Sequence, residues 1–140
     1  MSTSPCVFCR IVEGAEPSQT VYEDEHVVAF LNLAQVTKGH TLVVPREHHR
    51  NLADIPLEAA SAVMRATVLV SRQVTGALRA EGVNLWHASG ETAWQSVFHF
   101  HIHVVPRYDV TDLVLPWVEI EHPVESLAGL AAEIRSQAAG

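Results

Sequence analysis

Apolar residues along the chain gather into short blocks between polar turns, with one long stretch that repeats at helical spacing. Thr20-Val21-Tyr22-Glu23-Asp24 predicts a short strand ending in an acidic turn, and the wholly apolar Val27-Val28-Ala29-Phe30-Leu31 a well-buried one. The turn Thr37-Lys38-Gly39-His40 leads into a third strand, Thr41-Leu42-Val43-Val44, which Pro45 closes. Asp54-Ile55-Pro56 predicts a helix start, with Asp54 as the cap and Pro56 in the first turn. Apolar positions then recur at Ala60, Val63, Met64, Thr67, Val70, Val74, Ala77 and Leu78, and Gly82 follows as the stop of this one long helix. Asn84-Leu85-Trp86-His87 reads as a short strand, residues 90–95 as a loop and residues 98–105 as the strongest strand. A second, C-terminal helix is predicted over residues 126–136, with Leu127, Leu130, Ala131 and Ile134 on one face. Strands outnumber helices and do not alternate strictly with them. The expected fold class is therefore α+β on a mostly antiparallel sheet.

Composition narrows the picture. The 140 residues fit one domain, 48% of them are hydrophobic, and no apolar run is long enough for a membrane helix. No linker or repeat interrupts the chain, so residues 1–140 are expected as a single domain. A net charge of −7 argues against broad, charge-driven nucleic-acid binding. The first residues, Met1-Ser2-Thr3-Ser4-Pro5, have neither a basic nor an apolar region, and two cysteines make no disulfide framework. A cytoplasmic location is expected. The unusual number is nine histidines.

Three of those histidines lie in Gln95-Ser96-Val97-Phe98-His99-Phe100-His101-Ile102-His103-Val104-Val105. Strand alternation puts His99, His101 and His103 on one face and Phe98, Phe100, Ile102 and Val104 on the other. A plain solvent-facing stripe would be served equally well by Ser, Thr or Lys, so three imidazoles at period two point to chemistry. At roughly 3.3 Å per residue, His99 and His103 are roughly 13 Å apart, and a straight strand cannot bring all three onto one ion. A row of imidazoles suits a phosphate instead. Neutral imidazole is a nucleophile, and imidazolium brings two donors and a charge. Attack on phosphorus gives a phospho-histidine link that water can break.

These residues resemble the signature of the histidine triad family, His-x-His-x-His followed by two apolar residues. Gln95-Ser96-Val97-Phe98, Tyr22-Glu23-Asp24, Thr37-Lys38-Gly39-His40-Thr41-Leu42-Val43-Val44-Pro45 and His48 are similar too, so the likeness runs over about residues 6–107 and leaves 108–140 as an extension. The similarity is to the bacterial Hint-like branch, because the uridylyltransferase relatives carry Gln where this chain has His103. The resemblance implies a nucleotidyl hydrolase or transferase of phosphoramidase or dinucleoside polyphosphate hydrolase type. It further implies a purine nucleotide ligand of AMP or GMP type, a homodimer with a continuous sheet, and no organic cofactor. A nucleotide-binding scaffold with little turnover is the alternative. His101 would be the nucleophile, His103 would contact the phosphate and act as acid, and Gln95 and Ser96 would hold non-bridging oxygens. Asn32 stands where the family commonly has a ribose-binding acid, Ala88-Ser89 where it has Asn, and Trp94 where it has a small residue. Trp117, in the extension, is a candidate to complete a partner's pocket.

Cys6-x-x-Cys9 has metal-ligand spacing, but two cysteines alone also fit a dithiol or simple packing, and a tetrahedral site needs two more ligands. His26, His40, His48, His49, His87, His122 and the triad are the candidates in the sequence. The resemblance implies a structural zinc held by Cys6, Cys9, His48 and His99, with His49 as the neighbouring competitor for the third position.

Overall fold

The computed structural model describes residues 3–137. Five strands form one sheet in the order β1-β2-β3-β5-β4, with β1 Thr20–Glu23, β2 Val27–Leu31, β3 Thr41–Pro45, β4 Gly82–Trp86 and β5 Ile102–Arg107. Every neighbouring pair is antiparallel. Three helices complete the fold: α1 Val7–Val12, α2 Leu57–Leu78 and α3 Val124–Arg135. The α+β reading from sequence therefore stands. No helix of the described residues is long and apolar enough to cross a membrane.

Both faces of the sheet are covered, which explains why β2 and β3 are apolar throughout. On one face α2 lays Val63, Ala66, Val70 and Val74 against Val27, Ala29, Val43, Phe100, Ile102 and Val104. On the other, α1 brings Phe8 against Val28, Phe30, Leu42 and Val44. Helix α1 was not predicted, because six residues are too few to display a period. Its N-cap is Cys6, whose sulfur accepts from the Cys9 backbone N–H.

Several boundaries differ from expectation for identifiable reasons. Helix α2 starts after Pro56, which is the N-cap, and not at Asp54. Asp54 instead accepts from the Arg50 and Asn51 N–H groups of the preceding turn. The helix ends at Arg79 in the left-handed conformation (φ 59°), so Gly82 is the first residue of β4 and not the helix stop. Met64 and Ala77 fall outside the buried stripe, and Ala66 lies inside it. The strongest strand begins at Ile102, four residues after the predicted start. Residues 98–101 keep strand-like alternation without a ladder, because the His87 ring and the His49 carbonyl bond to their backbone, as described below. Helix α3 turns Leu127, Leu130 and Ile134 outward at 46%, 52% and 65% exposure, so its apolar face meets no core within this chain.

One glycine has a clear steric reason. Gly39 sits at φ +95°, and a Cβ there would lie 2.5 Å from Leu78 Cδ1. The turn that delivers His40 against the sheet therefore requires glycine.

Candidate active site and metal centre

The three triad histidines share the α1 side of the sheet, as alternation demands, yet each is held differently. His99 is fully buried, and its Nε2 donates to the Pro45 carbonyl at 2.8 Å. That bond turns Nδ1 toward the two sulfurs, 3.5 Å from Cys6 Sγ and 3.5 Å from Cys9 Sγ. His101 uses the opposite nitrogen: its Nδ1 donates to the His99 carbonyl at 2.7 Å, so Nε2 carries the lone pair. His103 is paired with His40, Nδ1 to Nε2 at 2.8 Å. The Val36 N–H donates to His40 Nδ1 at 3.3 Å, so the His40 proton is on Nε2 and His103 Nδ1 accepts it. The remaining proton of His103 is then on Nε2.

Burial sets the protonation of this row. It holds His99 and His103 down to about 4, with the neighbouring His101, His40 and His87 adding to the effect at His103. His101 and His40 are lowered by the same cause. At neutral pH all four are neutral imidazoles. The edge of Phe8 closes over His101, with ring centroids 5.1 Å apart at 87°.

One ring and one loop carbonyl take up main-chain groups of residues 98–101 in place of a ladder. His87 Nδ1 donates to the His101 carbonyl at 2.8 Å, and the Phe100 N–H donates to the His49 carbonyl at 2.6 Å. The His87 ring lies over Phe100 at 4.5 Å. Gln95 is buried, and its amide is committed to the loop around it. Its Oε1 accepts from Asn51 and Gly90, and its Nε2 donates to the Arg50 and Val97 carbonyls. Ser96 is exposed and lines a cavity of about 710 Å³ together with His40, His103, Trp86, Trp94 and Trp117. Trp94 is in the left-handed region at φ 68° and stacks with Trp86 at 6.4 Å. Trp117 thus faces a cavity of its own chain. Asn32 points its amide nitrogen inward, 2.7 Å from the Ala34 carbonyl and 3.4 Å from His40 Nδ1.

The second cluster closes at the other end of the row. Ligand atoms of Cys6, Cys9, His48 and His99 all lie within 4.8 Å of one another. Cys9 Sγ is 3.3 Å from His48 Nδ1. A tetrahedral ion with metal–sulfur bonds of ~2.3 Å and metal–nitrogen bonds of ~2.1 Å has sulfur–nitrogen edges of about 3.6 Å, so these separations fit one. Burial and the adjacent Cys6 push the Cys9 thiol up, a cost that a cation between two thiolates removes. His49 is directed elsewhere, toward Glu47 at 3.4 Å, which decides between the two adjacent histidines.

The match to the HIT domain extends over residues 13–110. The chain belongs to the HIT domain family. Protein hit of Bacillus subtilis is 46% identical over 107 residues, covering 76% of this chain and 74% of that protein. The crystal structure of a Zn-bound histidine triad family protein from Mycobacterium smegmatis has a TM-score of 0.75 at 34% identity, covering 95% of this chain and 98% of its own. That of a hypothetical histidine triad nucleotide-binding protein from Sulfolobus tokodaii has a TM-score of 0.73 at 30% identity, covering 94% and 90%.

In this HIT protein, sequence reasoning placed His40 in the family motif and both His40 and His87 among the metal candidates, and neither joins the cluster. Antiparallel pairing of Leu42 with His103 is the signal that was available, since it places His40 beside the triad. For His87, the signal is its place at the end of β4, whose Trp86 pairs with His103.

Proposed function

We propose that this HIT protein is a nucleotidyl hydrolase or transferase acting on purine nucleotide phosphoramidates or phosphate esters through a covalent nucleotidyl-histidine intermediate. The observation that carries the reading is the hydrogen bond from His101 Nδ1 to the His99 carbonyl. It leaves a lone pair on Nε2 of a buried, neutral imidazole, which is what a nitrogen nucleophile needs. His101 Nε2 attacks the α-phosphorus, and the nitrogen–phosphorus bond forms as the bond to the leaving oxygen or nitrogen breaks. Ser96 and His103 hold the non-bridging oxygens. Gln95 keeps the loop that presents Ser96 in place.

Proton balance falls to the His40–His103 pair. An anionic phosphate beside it counters the burial that keeps both low, so the complex takes up one proton. The Ala34 carbonyl favours the charged form of His40. His103 passes its Nε2 proton to the leaving atom and recovers one at Nδ1 from His40. Water then attacks phosphorus, returns a proton through His103, and releases His101 and the nucleoside monophosphate.

Cys6, Cys9, His48 and His99 are the residues that would hold zinc, and four protein ligands make it a structural ion that fixes the His99 carbonyl under His101. Asn32 is the residue for the ribose. The outward apolar face of α3 and the edge strand β4 support a homodimer. The deciding experiment is turnover of an adenosine phosphoramidate by the purified chain. His101→Ala should lower it more than about a thousandfold while AMP still binds, as loss of a nucleophile does. A wild-type chain that binds AMP and releases no product is a scaffold and overturns the reading.

A further inference from the structure

The loop between β2 and β3 is closed by one side chain that the core does not need. Gln35 is exposed, yet its amide is bonded on both sides. Its Oε1 accepts from the N–H groups of Gly39 at 2.8 Å and His40 at 3.0 Å. Its Nε2 donates to the carbonyls of His40 at 2.9 Å and Asn32 at 2.5 Å. Turning the amide over would oppose N–H to N–H and oxygen to oxygen, so only this orientation works. The clamp draws the loop back on itself, and two donors then converge on one nitrogen. The Val36 N–H is 3.3 Å and Asn32 Nδ2 is 3.4 Å from His40 Nδ1. In the neutral ring these two donors outweigh the Ala34 carbonyl, which favours a proton there only in the charged form, so Nδ1 keeps its lone pair and the His40 proton stays on Nε2, aimed at His103 Nδ1.

We propose that Gln35 is a positioning residue: by clamping the backbone on both sides of His40 it fixes that ring's tautomer, and through it keeps the proton of His103 on Nε2, facing the substrate. This rests on the reading of His103 as proton donor to the leaving atom. Without the clamp, the loop can swing Val36 away, His40 can carry its proton on Nδ1, and His103 can then present a lone pair where a proton is required. Because Gln35 is exposed, its loss leaves the cores of both sheet faces intact.

The test uses the full chain as purified, with ¹⁵N-labelled histidine, in the wild type, Gln35→Ala and Gln35→Glu. Glu keeps the shape and still accepts from Gly39 and His40, but it cannot donate to the two carbonyls. Nitrogen spectra of the wild type at neutral pH should show His40 and His103 each as the single Nε2–H form. Both variants should show tautomer mixing at these two rings. For an adenosine phosphoramidate, kcat should fall about tenfold, a part of the ~10²–10⁴ that a positioned acid–base group contributes, with KM within about twofold. Metal content should stay that of the wild type. Unchanged Nε2–H signals in both variants overturn the proposal, and so do mixed tautomers with an unchanged kcat. A wild type without turnover counts against the proposed function instead, and the nitrogen spectra still decide what Gln35 holds.

Discussion

His99 and His103 stand four residues apart on the same face, and the structure gives them opposite partners. At His99 the Pro45 carbonyl accepts from Nε2–H, and Nδ1 faces two half-buried sulfurs and the exposed His48 in one cluster. At His103 the neighbouring His40 fills Nδ1, and Nε2 faces a cavity open to ligands. His101, between them, is fixed by the carbonyl of the first and packed edge-on against the third at 5.0 Å. Residue type and spacing are identical. What differs is the partner at the second nitrogen, and in the proposed mechanism that partner sets whether an imidazole would serve as ligand, nucleophile or proton donor.

Removing the partners at the His99 end should give the largest effect. A double Cys6→Ser, Cys9→Ser variant should lose its metal and melt roughly ten degrees lower, since a structural ion contributes several kcal/mol of folding energy. Activity should fall through displacement of the His99 carbonyl but not vanish, because no reaction step runs through the ion. Elemental analysis beside a melting curve checks this. A wild-type metal content near zero with both thiols titratable would erase the contrast between the two ends.

Acid should separate the ends by a smaller amount. Burial holds His103 at about 4 and lowers His40 as well, so the fold prefers both neutral. The unfolded chain, with histidines near 6.5, then binds more protons than the folded one. Their contribution to stability is fully present above about pH 6.5 and is lost progressively as the pH falls toward 4, with no further loss from His103 below that. Chemical denaturation at pH 7 and pH 5 should therefore show a smaller acid loss in His103→Gln than in the wild type. Equal losses would mean that the buried pair does not drive the acid response.

Much of this contrast was legible in the sequence, and the part that was not has a common cause. Alternation placed the triad on one face, while the Cys6-x-x-Cys9 spacing alone left dithiol and packing open and the family resemblance supplied His48 and His99 as the remaining ligands. The turn Thr37-Lys38-Gly39-His40 was visible as well, but the partnership of His40 with His103 was not, because it joins residues 63 apart. The same holds for His87, whose bond to the His101 carbonyl replaces a ladder bond that a strand over 98–105 would have made. Period and propensity describe where a side chain faces. They do not say which nitrogen it offers, and that depends on contacts made by the loops. The exposed face of α3 marks a further limit: its amphipathic pattern was readable over residues 126–136, while the exposure of Leu127, Leu130 and Ile134 was not.

The smallest expected effect sharpens the His103 end. Asn32 stands at the proposed sugar position and also touches His40, with Nδ2 3.4 Å from Nδ1. Asn32→Asp replaces a donor by a negative acceptor at that nitrogen. Two consequences follow from one change. A carboxylate accepts hydrogen bonds from both ribose hydroxyls, so discrimination of ribo- over deoxyribonucleoside monophosphates should rise by a few-fold, about 1 kcal/mol at most for a hydrogen bond gained on an exposed face. The same charge favours protonated His40, so its titration should move upward from the lowered value that burial imposes. Titrating ribo- and deoxyribonucleotides against both forms, together with the His40 ring signals, reads the two effects separately. An unchanged binding ratio would remove Asn32 from the sugar site, and an unshifted His40 would show that the loop holds this ring independently of Asn32.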